Sequence, residues 1–375
     1  MLDRRLIENW DWILLLLLLL LAAISIVNLY SATYQIRNMG GSQIFVKQIY
    51  WYLLGFSVFL IMTTFNYYKL LQFAYPVYFA SVALLILVLL IGKTTSGSQR
   101  WLDFGPISIQ PSEFVKISIV LVLAKFFGEG DRYHEYGWLD LLAPLFLIGL
   151  PAFLILKQPD LGTTLHLTAA ALSILIFVRL NWKSVAILAV PVICMSPLVW
   201  FVLKDYQKAR ILIFLNPDMD PLGAGYHINQ SKIAIGSGQF WGKGFLHGTQ
   251  TRLQFLPEQH TDFAFSVLAE EWGFLGSIIL LVLYLFLVLW GLNIAKAAKN
   301  RFGSLLAVGI VSIAFWQIVT NVAMVTGLLP VVGIPLVLFS YGGSSIVAIM
   351  ASMGLLMNIS MRRFMFSDGA GLPEK

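Results

Sequence analysis

Charge is what this chain has least of. Lys, Arg, Asp and Glu make up 12% of its 375 residues, while 58% are hydrophobic. A soluble domain carries about twice that share of charge, so a soluble globular fold is excluded and a polytopic membrane protein is expected. The net charge of +6 then belongs to membrane topology, because no loop interleaves a basic cluster with aromatics as a nucleic-acid surface does. Cysteine is almost missing. The single Cys194 lies in an apolar run, which rules out an internal disulfide and any CxxC redox or metal site and leaves a small buried hydrophobe. The histidines His134, His166, His227, His247 and His260 show no HExxH-like ligand spacing. Gly236, Gly238, Gly242, Gly244 and Gly248 match neither GxGxxG nor the phosphate-binding loop, and no βαβ context surrounds them; they read as turns. Asp218-Met219-Asp220 imitates the DxD of metal-dependent sugar transferases, but three residues in a Pro-rich loop are a weak match, and no metal is assigned there.

Long apolar runs, by contrast, are plentiful. Runs of spanning length fall at about 13–33, 46–64, 70–92, 113–128, 139–157, 161–180, 183–204, 263–292, 303–328 and 339–361, predicting about ten transmembrane helices. The first follows Arg4 and Arg5 and is too long for a signal-peptide core, so a retained helix is expected. The fourth is short and carries charge. With the N-terminus inside, the inner loops hold Lys69, Lys125, Arg132, Arg179, Lys183, Lys296, Lys299 and Arg301, and the tails hold Arg4, Arg5, Arg362, Arg363 and Lys375. The short outer loops hold only Arg37, Lys47, Lys93, Arg100 and Lys157. This asymmetry predicts both termini in the cytoplasm.

Three outer segments are not simple turns. Lys93–Ser112 is polar and Gly/Pro-bearing. The segment 205–261 is the longest polar stretch, and its Tyr226, Gln230 and Ile233 recur at helical spacing, so it is expected to fold against the membrane face. Gly327–Ser345 breaks helix at membrane depth, which is tolerated only where the backbone is buried in protein or lines a cavity. The chain is therefore expected to be one membrane domain over 1–375, with a large folded outer loop at 205–261 between the seventh and eighth helices. Its candidate site is assembled on the outer face.

At the end of that loop, in LPEQHTDFAFSVLAEE, stand His260, Thr261 and Asp262, followed by Glu270 and Glu271 in apolar sequence. Carboxylates at such depth are costly and tend to be functional. Asp262 reads either as a catalytic base or as a first-turn acid that stabilises the helix dipole by about 0.3–1 kcal/mol, with Thr261 as the cap. Glu113 and Lys116, three apart behind Ser112 as a cap, share a helix face. They are either a structural pair or a Lys offered to an anionic group such as a pyrophosphate. Asp160 caps another helix on the same side, with Lys157 in reach. Arg100 and Arg210 either grip phosphate or snorkel at the interface. His260 is counted with these binding candidates.

Taken together, the stretches GSQRWLDFGPISIQPSE, KQPDLGT, DPLGAGYHINQSKIAIGSGQFWGKGFLHGTQT and LPEQHTDFAFSVLAEE, with Asn321, Gly327, Pro330, Gly333 and Tyr341-Gly342-Gly343-Ser344-Ser345, resemble the SEDS family of bacterial cell-wall proteins, its RodA branch in particular. The resemblance implies a ten-helix fold in the bacterial cytoplasmic membrane and a peptidoglycan glycosyltransferase that polymerises lipid II during cell elongation. It places the family's essential aspartate at Asp262 and implies roles for Glu113 and Lys116. The expected partner is a class B penicillin-binding transpeptidase within the elongation complex.

On this reading the donor is a glycan chain on undecaprenyl pyrophosphate and the acceptor is the GlcNAc 4-hydroxyl of lipid II. One inverting displacement needs one base and positive charge for the departing pyrophosphate, supplied by Lys116 and by Arg100 or Arg210, with or without a divalent cation. Two other readings remain: a lipid II flippase, whose site belongs near the midplane on paired broken helices, and a scaffold for the transpeptidase.

Overall fold

The computed structural model describes residues 9–35, 43–95, 98–103, 105, 108–130, 135–178, 180–181, 183–187, 190, 201, 205–216, 220, 223–256 and 258–363. Arg4, Arg5, Arg37, Arg132, His134, Arg179, Cys194, Asp218, Met219, Lys375 and most of the predicted span 183–204 lie outside these residues.

The fold is predominantly helical. In chain order the main elements are α1 (Trp12–Ala32), α2 (Ile44–Thr64), α3 (Leu70–Ile91), α4 (Pro111–Gly128), α5 (Leu142–Lys157), α6 (Leu161–Ile176), α7 (Asp205–Leu215), α8 (Ala224–Ser237), α9 (Ala264–Ala297), α10 (Arg301–Val325) and α11 (Gly343–Met361). Six segments among the described residues are long and apolar enough to cross a membrane: α1, α2, α3 with the 3₁₀ turn before it, α9, α10 and α11. α5 and α6 are shorter apolar helices, and α4 carries Glu113, Lys116 and Lys125. The run 93–112, expected to be more than a simple turn, bears strands in its described residues. It forms β1 (Lys93–Thr95), β2 (Ser98–Asp103) and β3 (Ser108–Ile109), a small antiparallel sheet in the order β1-β2-β3.

The helix starts follow from local chemistry. Asp11 caps α1, accepting from Leu14 N at 3.1 Å, and also takes hydrogen bonds from Trp290 Nε1 and Ser360 Oγ, so one carboxylate ties α1 to α9 and α11. Pro111 opens α4 at a position where its missing N–H costs nothing. Ser112 is not the cap: Gln110 occupies that position, and Ser112 Oγ is buried without a partner. α10 and α11 are the most buried of the long helices. Small residues allow close approach there, as in other membrane bundles: a Cβ on Gly309 would meet Val120 Cγ1 at 2.3 Å, and one on Gly354 would meet the Phe59 carbonyl at 2.7 Å.

Two departures from regular helix shape the bundle. α9 is broken at Gly273 (φ 63°, ψ −158°), a conformation that favours glycine. The chain at 239–244 enters this break. Lys243 N and Gly244 N donate to the carbonyls of Glu270 and Glu271 at 3.0 and 2.9 Å, and the N–H groups of Phe274 and Leu275 donate to Gln239 O and Phe240 O at 2.8 and 3.2 Å. The groups freed by the break are thus met on both sides.

The second departure is the run 334–340, where the expected helix 339–361 has not yet begun. Its carbonyls are met by side chains from four helices: Ser25 to Phe339 O (2.7 Å), Gln48 to Ser340 O (3.1 Å), Tyr52 to Leu338 O (2.7 Å), Tyr284 to Val337 O (2.6 Å), Gln317 to Pro335 O (2.8 Å) and Asn321 to Ile334 O (2.8 Å). Non-helical backbone at this depth survives because protein donors replace absent water.

Candidate functional site

The three segments singled out in the sequence converge on one cavity of about 210 Å³. The sheet and the start of α4 contribute Arg100, Trp101, Gln110, Glu113 and Lys116. α6 contributes Thr163 and His166, the end of the long loop contributes Thr261 and Asp262, and the irregular run with the start of α11 contributes Gly333, Tyr341 and Ser345. A second cavity of about 620 Å³ adjoins it, sharing Trp101, Thr261, Tyr341 and Gly342 and adding Lys47, Tyr50, Trp51 and Lys93.

Asp262 precedes the first helical residue of α9. Thr261 does not cap that helix: its hydroxyl donates to the Glu258 carboxylate at 3.0 Å, and Phe263 holds the cap position with no side-chain cap bond. Burial pushes the Asp262 carboxyl up to about 6 from 3.8. Glu258 adds to the rise, and Arg100 and Arg210 pull against it. An acid in that range is largely ionised at neutral pH yet basic enough to take a proton, the range a general base needs. Gly333, in a left-handed conformation (φ 73°), leaves its Cβ side open 3.4 Å from Asp262 Oδ2.

Lys116 Nζ donates to Glu113 Oε1 at 2.8 Å in a buried pair on the cavity wall. Both readings of this pair therefore keep their footing: it is structural by its bond and available by its position. Asp160 caps α6 as expected, accepting from Thr163 N at 3.0 Å and Thr163 Oγ1 at 2.8 Å. Its ionic partner is not Lys157, which lies over the Phe153 ring at 4.8 Å, but Arg100, whose Nε sits 3.3 Å from Oδ2 while its Nη donates to the Pro159 carbonyl. Arg100 is thus held on the cavity wall by the residues that lead into α6. Arg210, on α7, does not line the cavity and acts on Asp262 through its charge. His260 enters through its carbonyl, which accepts from Tyr341 N at 2.8 Å. Burial holds its imidazole below the usual value, hence neutral at pH 7.

Glu270 and Glu271, expected to be functional because of their depth, are elsewhere. Glu270 is fully buried and accepts from Lys243 Nζ (2.7 Å), Thr249 Oγ1 and Gln250 N (3.0 Å each), while Glu271 accepts from Ser31 Oγ. Glu270 fastens the inserted loop, and Glu271 ties α9 to α1. Sequence reasoning missed His166, Glu258 and Trp101 as neighbours of the site. An ionisable residue inside the apolar helix 161–176 was the available signal for His166; nothing in the spacing marked the other two.

A family model described as "Cell cycle protein" (FTSW_RODA_SPOVE) matches residues 11–364. The peptidoglycan glycosyltransferase MrdB of Escherichia coli K12 is 45% identical over 299 residues, covering 77% of this chain and 78% of that protein. The peptidoglycan glycosyltransferase RodA of Treponema pallidum is 33% identical, covering 95% and 99%. Among solved structures, a chain of a peptidoglycan synthase complex described for its coordination of polymerization and crosslinking superposes with a TM-score of 0.81 at 32% identity, covering 95% and 98%. The rod shape determining protein RodA of Thermus thermophilus gives 0.70 at 28%, with coverage of 95% and 98%.

Proposed function

The chain belongs to the FtsW/RodA/SpoVE family of cell cycle proteins, and from that membership and the cavity around Asp262 we propose that it is an integral membrane peptidoglycan glycosyltransferase of the rod-shape type, with Asp262 as its general base. The observation that carries the residue assignment is the convergence of Asp262, the Glu113–Lys116 pair and Arg100 on one cavity.

In the reaction, Asp262 takes the proton from the 4-hydroxyl of the acceptor GlcNAc of lipid II. The hydroxyl oxygen attacks the anomeric carbon of the donor glycan, and undecaprenyl pyrophosphate leaves with the bonding electrons. Configuration inverts in one displacement, and the anionic leaving group removes the need for the second carboxylic acid that glycoside hydrolysis uses. Lys116 and Arg100 supply cationic surface to the pyrophosphate, Arg210 adds charge at longer range, and Asp160 and His260 support the wall. A divalent cation would add to the same charge compensation. The adjoining larger cavity gives room for a second lipid-linked sugar. The site faces the outer side, both termini lie in the cytoplasm, residues 1–375 act as one membrane domain, and a class B penicillin-binding transpeptidase is the partner that crosslinks the product.

A positioned base contributes about 10²–10⁴-fold. Purified protein supplied with lipid II is expected to yield glycan strands on a gel, and Asp262→Asn to yield none while still inserting into membranes. Wild-type polymer from the Asn variant would overturn the base assignment. Transport of labelled lipid II across vesicles without polymer would favour a flippase.

A further inference from the structure

We propose that Asn321 is a positioning residue for the transfer reaction, holding the backbone of Asp262 against the buried irregular run so that its carboxylate stays in register with the cavity. The inference rests on the reading of Asp262 as the base.

Six side chains donate to the carbonyls of 334–340. Asn321 differs. Its Nδ2 donates both to Ile334 O at 2.8 Å and to Asp262 O at 2.9 Å. A primary amide has two N–H bonds, and here each goes to a different segment. The side chain is fully buried and its Oδ1 has no partner, so the two carbonyls, which accept only donors, dictate which way the amide points. Asp262 lies ahead of α9, whose cap is Phe263, so its carbonyl has no place in that helix's ladder and Asn321 supplies the missing bond. The same amide thereby sets the spacing between Asp262 and Gly333, the residue before Ile334 and the one facing the carboxylate. Asn321 itself is not on the cavity wall, so any effect on the reaction passes through Asp262. A displacement of about 1 Å at a reacting group costs on the order of 10²-fold in rate.

Gln317, one turn earlier on α10, is the matched control: it holds Pro335 O at 2.8 Å, Pro335 lines the cavity as Ile334 does, and no bond from Gln317 to Asp262 is found among the described residues, so the pair of variants isolates the Asp262 bond. The experiment compares Asn321→Ala, Asn321→Ser and Gln317→Ala in the full-length purified protein, reading polymerisation kcat and KM for lipid II, the pH profile of kcat and the melting temperature. Asn321→Ala is expected to lower kcat about 10–100-fold with KM within about twofold, and to move the acid limb of the profile. Asn321→Ser, which keeps one donor, is expected to fall between it and wild type, and it takes the place of the Ala variant if that one does not accumulate. Gln317→Ala is expected to melt earlier to a similar degree with kcat within about threefold of wild type. A kcat in the Asn321 variants no lower than that of Gln317→Ala, or an unmoved pH profile, would overturn the inference. Asp262→Asn run alongside separates the two readings: activity in that variant sinks the base assignment itself, whereas an inactive Asp262→Asn beside a fully active Asn321→Ala sinks only the positioning role.

Discussion

Lys116 and Glu113 form a 2.8 Å ion pair in which the side chains are only 4% and 9% exposed. Removing one member of such a pair leaves an uncompensated charge and costs about 3–5 kcal/mol, whereas replacing both with apolar residues is often neutral. Lys116→Met alone is therefore expected to lower the melting temperature, and this loss must not be mistaken for a binding defect. The double variant Glu113→Leu with Lys116→Met is expected to recover most of the melting temperature but to bind lipid II more weakly than wild type. Affinity equal to wild type in the double variant would return the pair to a purely structural role.

Asp262 makes a pH prediction whose sign is fixed by its environment. As the proposed base, Asp262 would work only when ionised, and its folded value is about 6. Polymerisation should hold steady above pH 7 and fall tenfold per unit of pH well below 6. A profile that stays flat down to pH 4.5 would contradict an ionised Asp262 as the base.

The same group predicts stability. Its folded value lies above the ordinary 3.8, so the folded state binds the proton more tightly. That contribution is fully present below about pH 4 and is lost as pH rises through about 6. At neutral pH the ionised carboxylate then costs about 3 kcal/mol. Asp262→Asn should accordingly melt higher than wild type at pH 7.5, and the difference should shrink toward pH 4. A lower melting temperature at pH 7.5 would mean that the carboxylate is a structural asset.

Glu270 should behave oppositely to Asp262. It gathers Lys243, Thr249 and the backbone of Gln250 in a fully buried position. Glu270→Ala leaves a charged donor and several uncharged ones unmet, a loss of about 3–5 kcal/mol. Protease sensitivity is expected to rise within 239–251 before the bundle melts, as read by limited proteolysis and mass mapping. Cleavage sites unchanged from wild type would show that the loop is held by other contacts.

Gly273 is the backbone counterpart of that lock. A Cβ there would lie 2.3 Å from Gly242 N, and its φ is 63°. Gly273→Ala is expected to expel the inserted loop and destabilise the protein, with a melting temperature well below that of Gly236→Ala, whose added Cβ meets nothing. Equal melting temperatures for the two variants would show that the break in α9 does not depend on this residue.

Much of the site was legible because its signals are local. Asp262, Glu113, Lys116 and Asp160 each stand at the junction of a polar segment and an apolar run, and a carboxylate placed there is costly wherever the chain folds. The irregular backbone after Gly327 was also legible, since Pro and Gly at membrane depth demand burial. The partners were not. Lys157 was the nearer candidate for Asp160, yet Arg100, in a distant strand, occupies that place. Thr261 and Ser112 had the residue types of caps but not the geometry. Glu270 and Glu271 drew the same attention as Asp262 on depth alone, and only the fold shows that Glu270 meets Lys243 while Asp262 lines a cavity.

Hydrophobic runs, the spacing of their interruptions and the motifs at their ends by themselves determined that this is a helical membrane protein of the FtsW/RodA/SpoVE family with its unusual residues near helix ends. Apolar length and local residue type are enough for that, because the bilayer imposes them on any spanning segment. Tertiary structure alone decided which carboxylate faces a cavity, which cation meets which acid, and that one amide on α10 holds both Asp262 and Ile334. Those outcomes depend on groups as far apart in sequence as Arg100 from Asp160 and Asn321 from Asp262 competing for a few buried hydrogen bonds, and no local pattern records the winner.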